Sequence, residues 1–534
     1  MRNQTLPGIA DSLAGKHIVV IGATGFLGKV LVEALLREAP DLAKLTLLVR
    51  AGHKGEQPTM RIARELLATP LFRQLRDAIG ETDFNERTAR IEAVAADINQ
   101  PRLGLDALRY QSLAESADLI INSAASVNFR EALDKAMLTN MHAVDRLASF
   151  AARRNIPLLH ISTCYVNGVR RGLIAEDNGA PSRAKRAAGP VAAHTGMQAW
   201  NTDHIVGDLE TAVDATAAAH RGNERARNEA MVTLGQEKAR QYGWNDCYTL
   251  TKWLAEQRLM ARRPNGPLTV LRPSIIESTA RQPFGGWLEG IKVADAVIYA
   301  YAKRGLSVFP GHKDRVIDVI PVDVVANSAL FASAELLTAA SATRVYQCCS
   351  GSSNPLTIGQ LRDYVVEGCR DNWDALPRLF AGRPRHGLRI VPPALFHTAA
   401  AGTKAALKLA EWFGARRLPG APDTGGGRRV SRFTKMQNLV SLYAFYASPD
   451  YVFSNEQLQA LHRRFPSDDR ARLPVDTEGL DWRVYIRDIH LPGLHRFALR
   501  PEKRRVEPAP AAGEFCGSGF SRDSAIPASQ PNRG

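Results

Sequence analysis

The sequence predicts an α/β fold: a Rossmann-type, doubly wound parallel sheet followed by a smaller, mainly helical C-terminal domain. Three observations carry this. Five short runs rich in apolar and β-branched residues alternate with helical patterns across the first 165 positions, the order that gives parallel strands with helices on both faces. The first run leads into three glycines at three-residue spacing, Gly22, Gly25 and Gly28, where a helix begins. Beyond about residue 355 the alternation fades into a mainly helical pattern that reaches about residue 500.

Each element has its own signal. "HIVVI" (17–21) reads as a short buried parallel strand. After the glycines, Phe26, Leu27, Val30, Leu31, Ala34 and Leu35 share one helical face, and Lys29, Glu33 and Arg37 share the other, the pattern of an amphipathic helix. "LTLLVR" (45–50) is a second strand and roughly 59–80 a helical stretch. "RIEAVAADI" (90–98) is a third strand, "DLIINSAAS" (118–126) a fourth and "PLLHISTCY" (157–165) a fifth, with a helix from about Glu131 to Arg154 between the last two.

Residues 166–240, dense in Ala, Arg, Asn and Gly, read as an insertion. It is either a partly helical lid or a surface excursion. Pattern resumes with the amphipathic helix "YTLTKWLAEQRLM" (248–260) and the strand "LTVLRPS" (268–274). Then "VIDVIPVDVVANSALFAS" (316–333) is a strand or loop leading into a helix. The resulting division is an N-terminal extension (1–14), a nucleotide-binding domain (15–354, with the insertion at about 170–240), a helical domain (355–500) and a tail (501–534) of disordered composition.

Composition narrows the function classes. At 45 % hydrophobic and 23 % charged residues the chain is an ordinary globular one, and 534 residues suggest two or three domains. The net charge of +15 favours anionic partners, but no zinc-finger spacing or aromatic RNA-binding signature accompanies it, so nucleic acid is not expected. Six cysteines without a C-x-x-C pair give neither a metal nor a disulfide framework. No signal-peptide pattern opens the chain, and a cytoplasmic setting is expected. No run of eighteen apolar residues exists. The nearest approach, 393–417, is interrupted by Lys404 and Lys408. It reads as a buried core helix, although Trp412, Phe413 and the basic flank would also suit peripheral membrane contact.

The candidate chemistry lies where the strands end. Gly22, Thr24, Gly25, Phe26, Leu27 and Gly28 form the expected cradle for a dinucleotide pyrophosphate. Arg50 closes the second strand with no carboxylate between Leu45 and Gly55. An acidic residue there would repel a ribose 2′-phosphate and an arginine attracts it, so NADPH is the expected cofactor; the bland reading is an arginine capping a strand. Asp97, followed by Ile98, can accept from the adenine amino group or simply start a turn.

Tyr248 and Lys252, four apart on a helix, place an ammonium beside a phenol. A neighbouring cation lowers a phenol from its usual pKa of about 10, which suits proton exchange with a carbonyl oxygen during hydride transfer. Lys252 can also hold the nicotinamide ribose. Tyr299 and Lys303 repeat the spacing but fall outside the strand–helix alternation. Ser162 and Thr163 end the fifth strand, where a hydroxyl can polarise a carbonyl, and alternation points one of them into the cleft. Asn140 is a candidate anchor for a water or backbone group that relays protons to the lysine, or an ordinary helix-interior residue.

"GATGFLGKVLVEALLR", "INSAASVNF", "HISTCYVNG", "YTLTKWLAE" and "LRPSII" follow one another as in extended short-chain dehydrogenases. The chain most resembles the fatty acyl-coenzyme A reductases, the group that includes the plant male-sterility proteins. "PFGGWLEG" (283–290), "VIPVDVVANS" (319–328), "YVFSNEQLQALHRRF" (451–465) and "LDWRVYIRDIHLPGLHRFAL" (480–499) extend the likeness over roughly residues 15–500. The resemblance implies NADPH-dependent reduction of a long-chain acyl-CoA thioester to an aldehyde, and by a second hydride to a fatty alcohol of the kind used in wax esters. It implies Thr163 as the holder of the carbonyl oxygen with Ser162 as its alternate, Tyr248 as proton donor and Lys252 as its tuner. Residues 170–240 match no motif of the family. Three rival readings are an aldehyde-releasing thioester reductase, a nucleotide-sugar epimerase or dehydratase, and a non-catalytic NADPH-binding scaffold. The epimerase reading leaves the C-terminal helices unexplained, and a scaffold has no use for the Tyr, Lys and Thr set. No motif sets chain length or oligomeric state.

Overall fold

Every residue of His17–Ile21 (β1) is buried, as a strand covered on both faces requires. The computed structural model describes residues 5–177, 201–405 and 445–499, apart from 53–54, 304–306, 339–342, 381, 385, 397, 404 and 447–448. β1 lies inside a sheet completed by Lys44–Val49 (β2), Ile91–Ala95 (β3), Leu119–Asn122 (β4), Leu158–Ile161 (β5), Leu268–Pro273 (β6) and Arg344–Cys348 (β7). The seven strands run in the order β7-β6-β5-β4-β1-β2-β3, and each pairing is parallel. The order reverses between β1 and β4, which opens a ligand crevice at the carboxyl ends of the strands.

Two helical layers close the sheet. Ile18 and Val20 join the core under Phe26–Glu38 (α1), while Val19 and Ile21 join the core on the opposite face. The described insertion forms two helices, Thr202–Ala219 (α2) and Glu224–Tyr242 (α3), ahead of Cys247–Arg262 (α4). Val293–Ala302 (α5), Val322–Thr338 (α6) and Ile358–Asp371 (α7) follow. The Arg272 guanidinium on β6 donates to Glu256 of α4 at 2.6–3.2 Å, both side chains being buried, so this ion pair fixes α4 against the sheet.

Several expected elements are revised. The helical stretch at 59–80 is broken, because Pro70 lacks the N–H that would continue a helix and starts a new one, Pro70–Ile79. The fourth strand stops at Asn122 and the fifth at Ile161, earlier than their small and apolar residues suggest, since both chains turn into the crevice. The polar face of α1 is covered: Lys29 donates to Glu289 at 2.6 and 2.8 Å, and buried Glu33, pushed up to about 6 by desolvation, accepts from Arg37 at 3.0 Å. Residues far along the chain supply that cover, so no local pattern announces it.

The described part of the insertion, 202–242, is packed rather than a loose excursion. Ile205, Val206, Leu209, Ala239 and Tyr242 pack with Leu250 and Leu254 of α4. Residues 178–200 lie outside the described part. So does most of 393–417, with Trp412 and Phe413; Pro393–Thr403 is largely exposed, Leu395 by 59 %, rather than core. Small side chains from Ala399 to Gly402 leave little there to bury. Among the described residues no helix is long and apolar enough to cross a membrane. The tail 501–534 lies outside the described residues.

Residues on both sides of position 355 belong to one compact unit that ends at Leu499. Tyr451–Phe453 pairs in parallel with Gly172–Ile174. His490 lies 3.0 Å from Ser278 Oγ through Nδ1 and 2.9 Å from Asp295 Oδ1 through Nε2, and the Tyr485 hydroxyl donates to the Ser278 carbonyl at 2.7 Å. A Cβ on Gly493 would lie 2.0 Å from the Gly286 carbonyl oxygen, backbone against backbone. Gly493→Ala should therefore lower unfolding free energy by about 2 kcal/mol or more. Gly402→Ala, with nothing near its Cβ, should be neutral or slightly stabilising. Denaturant midpoints of the two variants check the contrast.

Candidate active site

The glycine turn is shaped by contact rather than by sequence habit. Gly22 has φ +86°, and a Cβ there would lie 2.8 Å from Ala124 N at the exit of β4. A Cβ on Gly28 would lie 2.0 Å from the Gly22 carbonyl oxygen. The turn and α1 can thus approach each other only as glycines. Gly25 caps α1 in an extended conformation, with no side chain bonded to the cap, so the first-turn N–H groups remain available to an anion. These features fit a dinucleotide pyrophosphate.

Phe26 turns away to stack on Trp287 (centroids 5.4 Å apart) and carries the Lys292 ammonium 4.1 Å from its ring centre. Leu27 packs on the core. Both residues therefore offer a ligand their backbone. Thr24 is half-buried in the turn. Arg50 is exposed at the end of β2, with its carbonyl accepting from Arg61 and no ion pair on its guanidinium among the described residues. The Asp97 carboxylate accepts from Asn99 N at 3.0 Å, the turn-building role, and Ile98 is buried beside it.

From the glycine turn a polar chain leads to the lysine. Asn122, ending β4, accepts from Ala124 N through Oδ1, which orients its Nδ2 to donate to His160 Nδ1 at 3.1 Å. His160 Nε2 faces Lys252 Nζ at 3.2 Å, and Nζ donates to the Ile161 carbonyl at 2.7 Å. Burial, followed by the Lys252 charge, keeps His160 well below its ordinary value and hence neutral. Burial also brings Lys252 down to about 8, with Glu256 opposing. His160 was not among the expected site residues. Its signal was a lone polar side chain in the apolar strand "LLHI", in phase with Ser162 and therefore facing α4.

Tyr248 stands one turn before Lys252 on α4, whose N-terminus is capped by Asp246 accepting from Thr249 N at 2.9 Å. The expected lowering of its phenol is not what this arrangement gives. Burial and then the Asp246 carboxylate push Tyr248 well above its usual value, while Lys252 is engaged at the end of β5. Among the described residues the Tyr248 hydroxyl makes no hydrogen bond, and its ring meets Phe129 edge-on at 5.5 Å. Phe129 in turn lies 5.5 Å from Tyr446, whose hydroxyl donates to Asp246 at 2.8 Å.

Ser162 and Thr163 are both buried at the end of β5. Thr163 Oγ1 accepts from Tyr165 N at 3.3 Å and caps a short turn, whereas Ser162 Oγ has no partner among the described residues. Each keeps its O–H free to donate. Asn140 accepts from Ser126 N at 2.8 Å and donates to the Ser126 carbonyl at 3.1 Å and to Thr251 Oγ1 at 3.2 Å. It anchors the loop after β4 to α4, beside Lys252. Tyr299 lies on α5, packed into a separate core, with the Lys303 ammonium 5.7 Å from its ring centre.

Comparisons with known proteins give the family. A male sterility protein model of the NAD-binding kind matches residues 20–329, and a second male sterility protein model matches residues 424–501. The chain is 31 % identical to the chloroplastic fatty acyl-CoA reductase 2 of Arabidopsis thaliana over 92 % of its own length and 80 % of that protein's. It is 31 % identical to the alcohol-forming fatty acyl-CoA reductase of Simmondsia chinensis, over 66 % and 70 % of the two chains. In structure it is similar to the terminal R domain of the myxalamid PKS-NRPS pathway, with a TM-score of 0.53 and 19 % identity over 92 % of each chain, a likeness of fold. The chain is thus an oxidoreductase with a nicotinamide-binding domain, and it belongs to the male sterility protein family, whose relatives named above are fatty acyl-CoA reductases.

Proposed function

We propose that the protein uses NADPH to reduce long-chain fatty acyl-CoA thioesters through the aldehyde to the fatty alcohol. One observation carries the reading: Lys252, one turn after Tyr248 on α4, donates to the Ile161 carbonyl at the end of β5 at 2.7 Å, next to Ser162 and Thr163, and among the described residues the buried Ser162 hydroxyl has no partner. Arg50, exposed and without a carboxylate partner among the described residues, supports the phosphorylated cofactor. The relatives' names support the thioester, and the alcohol-forming relative supports the full reduction.

When bound, the cofactor supplies hydride. The protein's own groups do the rest. The Ser162 and Thr163 hydroxyls donate to the thioester carbonyl oxygen and stabilise the charge that develops there. Tyr248, held protonated, gives its proton to that oxygen. As the carbon–sulfur bond of the resulting hemithioacetal breaks, its hydroxyl proton passes to the departing thiolate, and the aldehyde remains. A second hydride and a second proton from Tyr248 make the alcohol, so each thioester consumes two hydrides. Lys252 holds a proton one helical turn away, seated on the Ile161 carbonyl.

With palmitoyl-CoA, two NADPH oxidised per coenzyme A released is the expected stoichiometry. One would mean an aldehyde-releasing enzyme, and no oxidation with any chain length would sink the proposal. In the same assay Tyr248→Phe should lower kcat by about 10²-fold or more, with NADPH binding retained by fluorescence titration. Arg50→Glu should raise the KM for NADPH and narrow the preference over NADH. A preference that stays the same would remove Arg50 from cofactor selection. The protonated form of Lys252 prevails below about 8, so kcat/KM should be level there and fall as pH rises through that value. The residual activity of Lys252→Arg, whose guanidinium does not titrate in this range, should lack that limb. A limb at the same pH in the variant would assign it to another group.

A further inference from the structure

A buried polar cluster that the proposed reaction does not use lies where three segments of the chain meet. Glu277 ends the short strand Ile275–Glu277 beyond β6, Asp295 stands in the first turn of α5, and His490 belongs to the C-terminal helical run 482–498. Their side chains are only 3 %, 0 % and 1 % exposed. One nitrogen or oxygen from each lies within 4.8 Å of the other two. His490 Nε2 is 2.9 Å from Asp295 Oδ1 and 3.9 Å from Glu277 Oε2.

The bonds around the cluster leave its centre without a donor. The Tyr485 hydroxyl spends its proton on the Ser278 carbonyl at 2.7 Å, so its oxygen, 3.2 Å from Ser278 Oγ, accepts there and Ser278 donates. Ser278 Oγ in turn accepts from His490 Nδ1 at 3.0 Å. A neutral imidazole with its proton on Nδ1 presents a lone pair at Nε2, and here that lone pair faces the two carboxylates. Asp295 Oδ2 is occupied by Lys292 N at 2.8 Å. Neither oxygen of Glu277 has a hydrogen-bond partner among the described residues. The Lys292 ammonium lies 4.1 Å from the centre of the Phe26 ring and bonds neither carboxylate. Three acceptors thus converge on one buried point, which is costly until a cation enters it.

We propose that Glu277, Asp295 and His490 bind one divalent cation of the zinc class, which ties the C-terminal helices to α5 and to the end of β6. An imidazole with carboxylates is a zinc-type ligand set, and Glu277, with both oxygens unengaged, can supply two of four ligand atoms. Bonds of about 2.0–2.1 Å at tetrahedral angles put neighbouring ligand atoms about 3.3 Å apart. The 2.9 and 3.9 Å separations about Nε2 bracket that distance, so small side-chain shifts complete the site. Ser278 on Nδ1 and Lys292 N on Oδ2 are the outer bonds that hold metal ligands in orientation. Desolvation, followed by the Asp295 charge, raises Glu277 well above the usual carboxylate range, so the entering ion displaces a proton. The cluster has no open face, and the ion is taken up as the chain folds. None of this depends on the proposed reduction.

The test therefore supplies metal during folding. The full-length protein is expressed in defined medium with zinc, passed through EDTA, and its metal measured by plasma mass spectrometry. About one zinc per chain is expected, and a folded Glu277→Gln variant, checked by circular dichroism, should retain about tenfold less or lower still. Wild type without zinc would overturn the proposal and leave protons to fill the site. Equal zinc in wild type and variant would overturn it as well. Protein made with cobalt in place of zinc decides the matter if the variant does not fold. Visible bands of an oxygen and nitrogen ligand set support the site, whereas a thiolate charge-transfer band, or no cobalt at all, would overturn it.

Discussion

The approach of α1 to the end of β1 is the constraint on which the crevice depends. With the Gly28 Cβ position only 2.0 Å from the Gly22 carbonyl oxygen, any side chain would push the helix off the turn. A Cβ on Gly22 would itself lie 2.8–2.9 Å from Ser123 and Ala124. Once that packing is in place, the exit of β4 is fixed, and Asn122, bonded to Ala124 N, is oriented toward His160. His160 in turn faces Lys252, whose ammonium is already bound to Ile161. Phosphate cradle and proton-holding lysine are thus set by one continuous series of contacts along the carboxyl edge of the sheet. Buried polar groups are costly unless partnered, and here each partner is also a positioning device.

The C-terminal residues complete this edge. Tyr446 bonds the cap of α4, Tyr451–Phe453 pairs with the segment after β5, and Gly493 packs its backbone on Gly286. Asp323, in the first turn of α6, accepts from the N–H groups of Ala280, Arg281 and Gln282 at 2.8–3.0 Å. That holds the loop which carries Trp287 against Phe26. Losing the C-terminal elements would uncover one wall of the Tyr248 environment and the outer face of α1 together.

How much of this was legible depended on the range of the interaction. The parallel sheet could be read because each strand is a local apolar run and the glycine turn sits at a fixed place between strand and helix. That Tyr248 and Lys252 share a helix, and that Ser162 and Thr163 follow the fifth strand, could be read because their order follows that of the strands. Burial of Lys29 and Glu33 could not: their partners and cover come partly from residues more than 250 positions away, and the local pattern on α1 is that of an exposed face. Asn140 carried no visible sign that it would join Ser126 to Thr251. His160 did leave a trace in an otherwise apolar strand, but only the third dimension puts it beside Lys252.

The sign of the Tyr248 shift is the most instructive of these differences. Spacing alone suggests a lysine that helps the phenol to ionise, yet the nearest fixed charge to act on it is the Asp246 carboxylate, and burial works in the same direction. A phenol so placed does not dissociate at neutral pH. In the proposed reaction its proton moves only when an oxygen more basic than itself is formed beside it, which is what hydride addition to a carbonyl creates. Water would compete for the same role in an open cleft, and the Phe129 and Tyr446 rings take up that space. The lysine, brought to about 8 by the same burial, can restore the proton near neutral pH without being the group that transfers it. In that proposal donor and supplier are separated by one helical turn, and the low-dielectric setting that makes one reluctant to ionise makes the other ready to give up its proton.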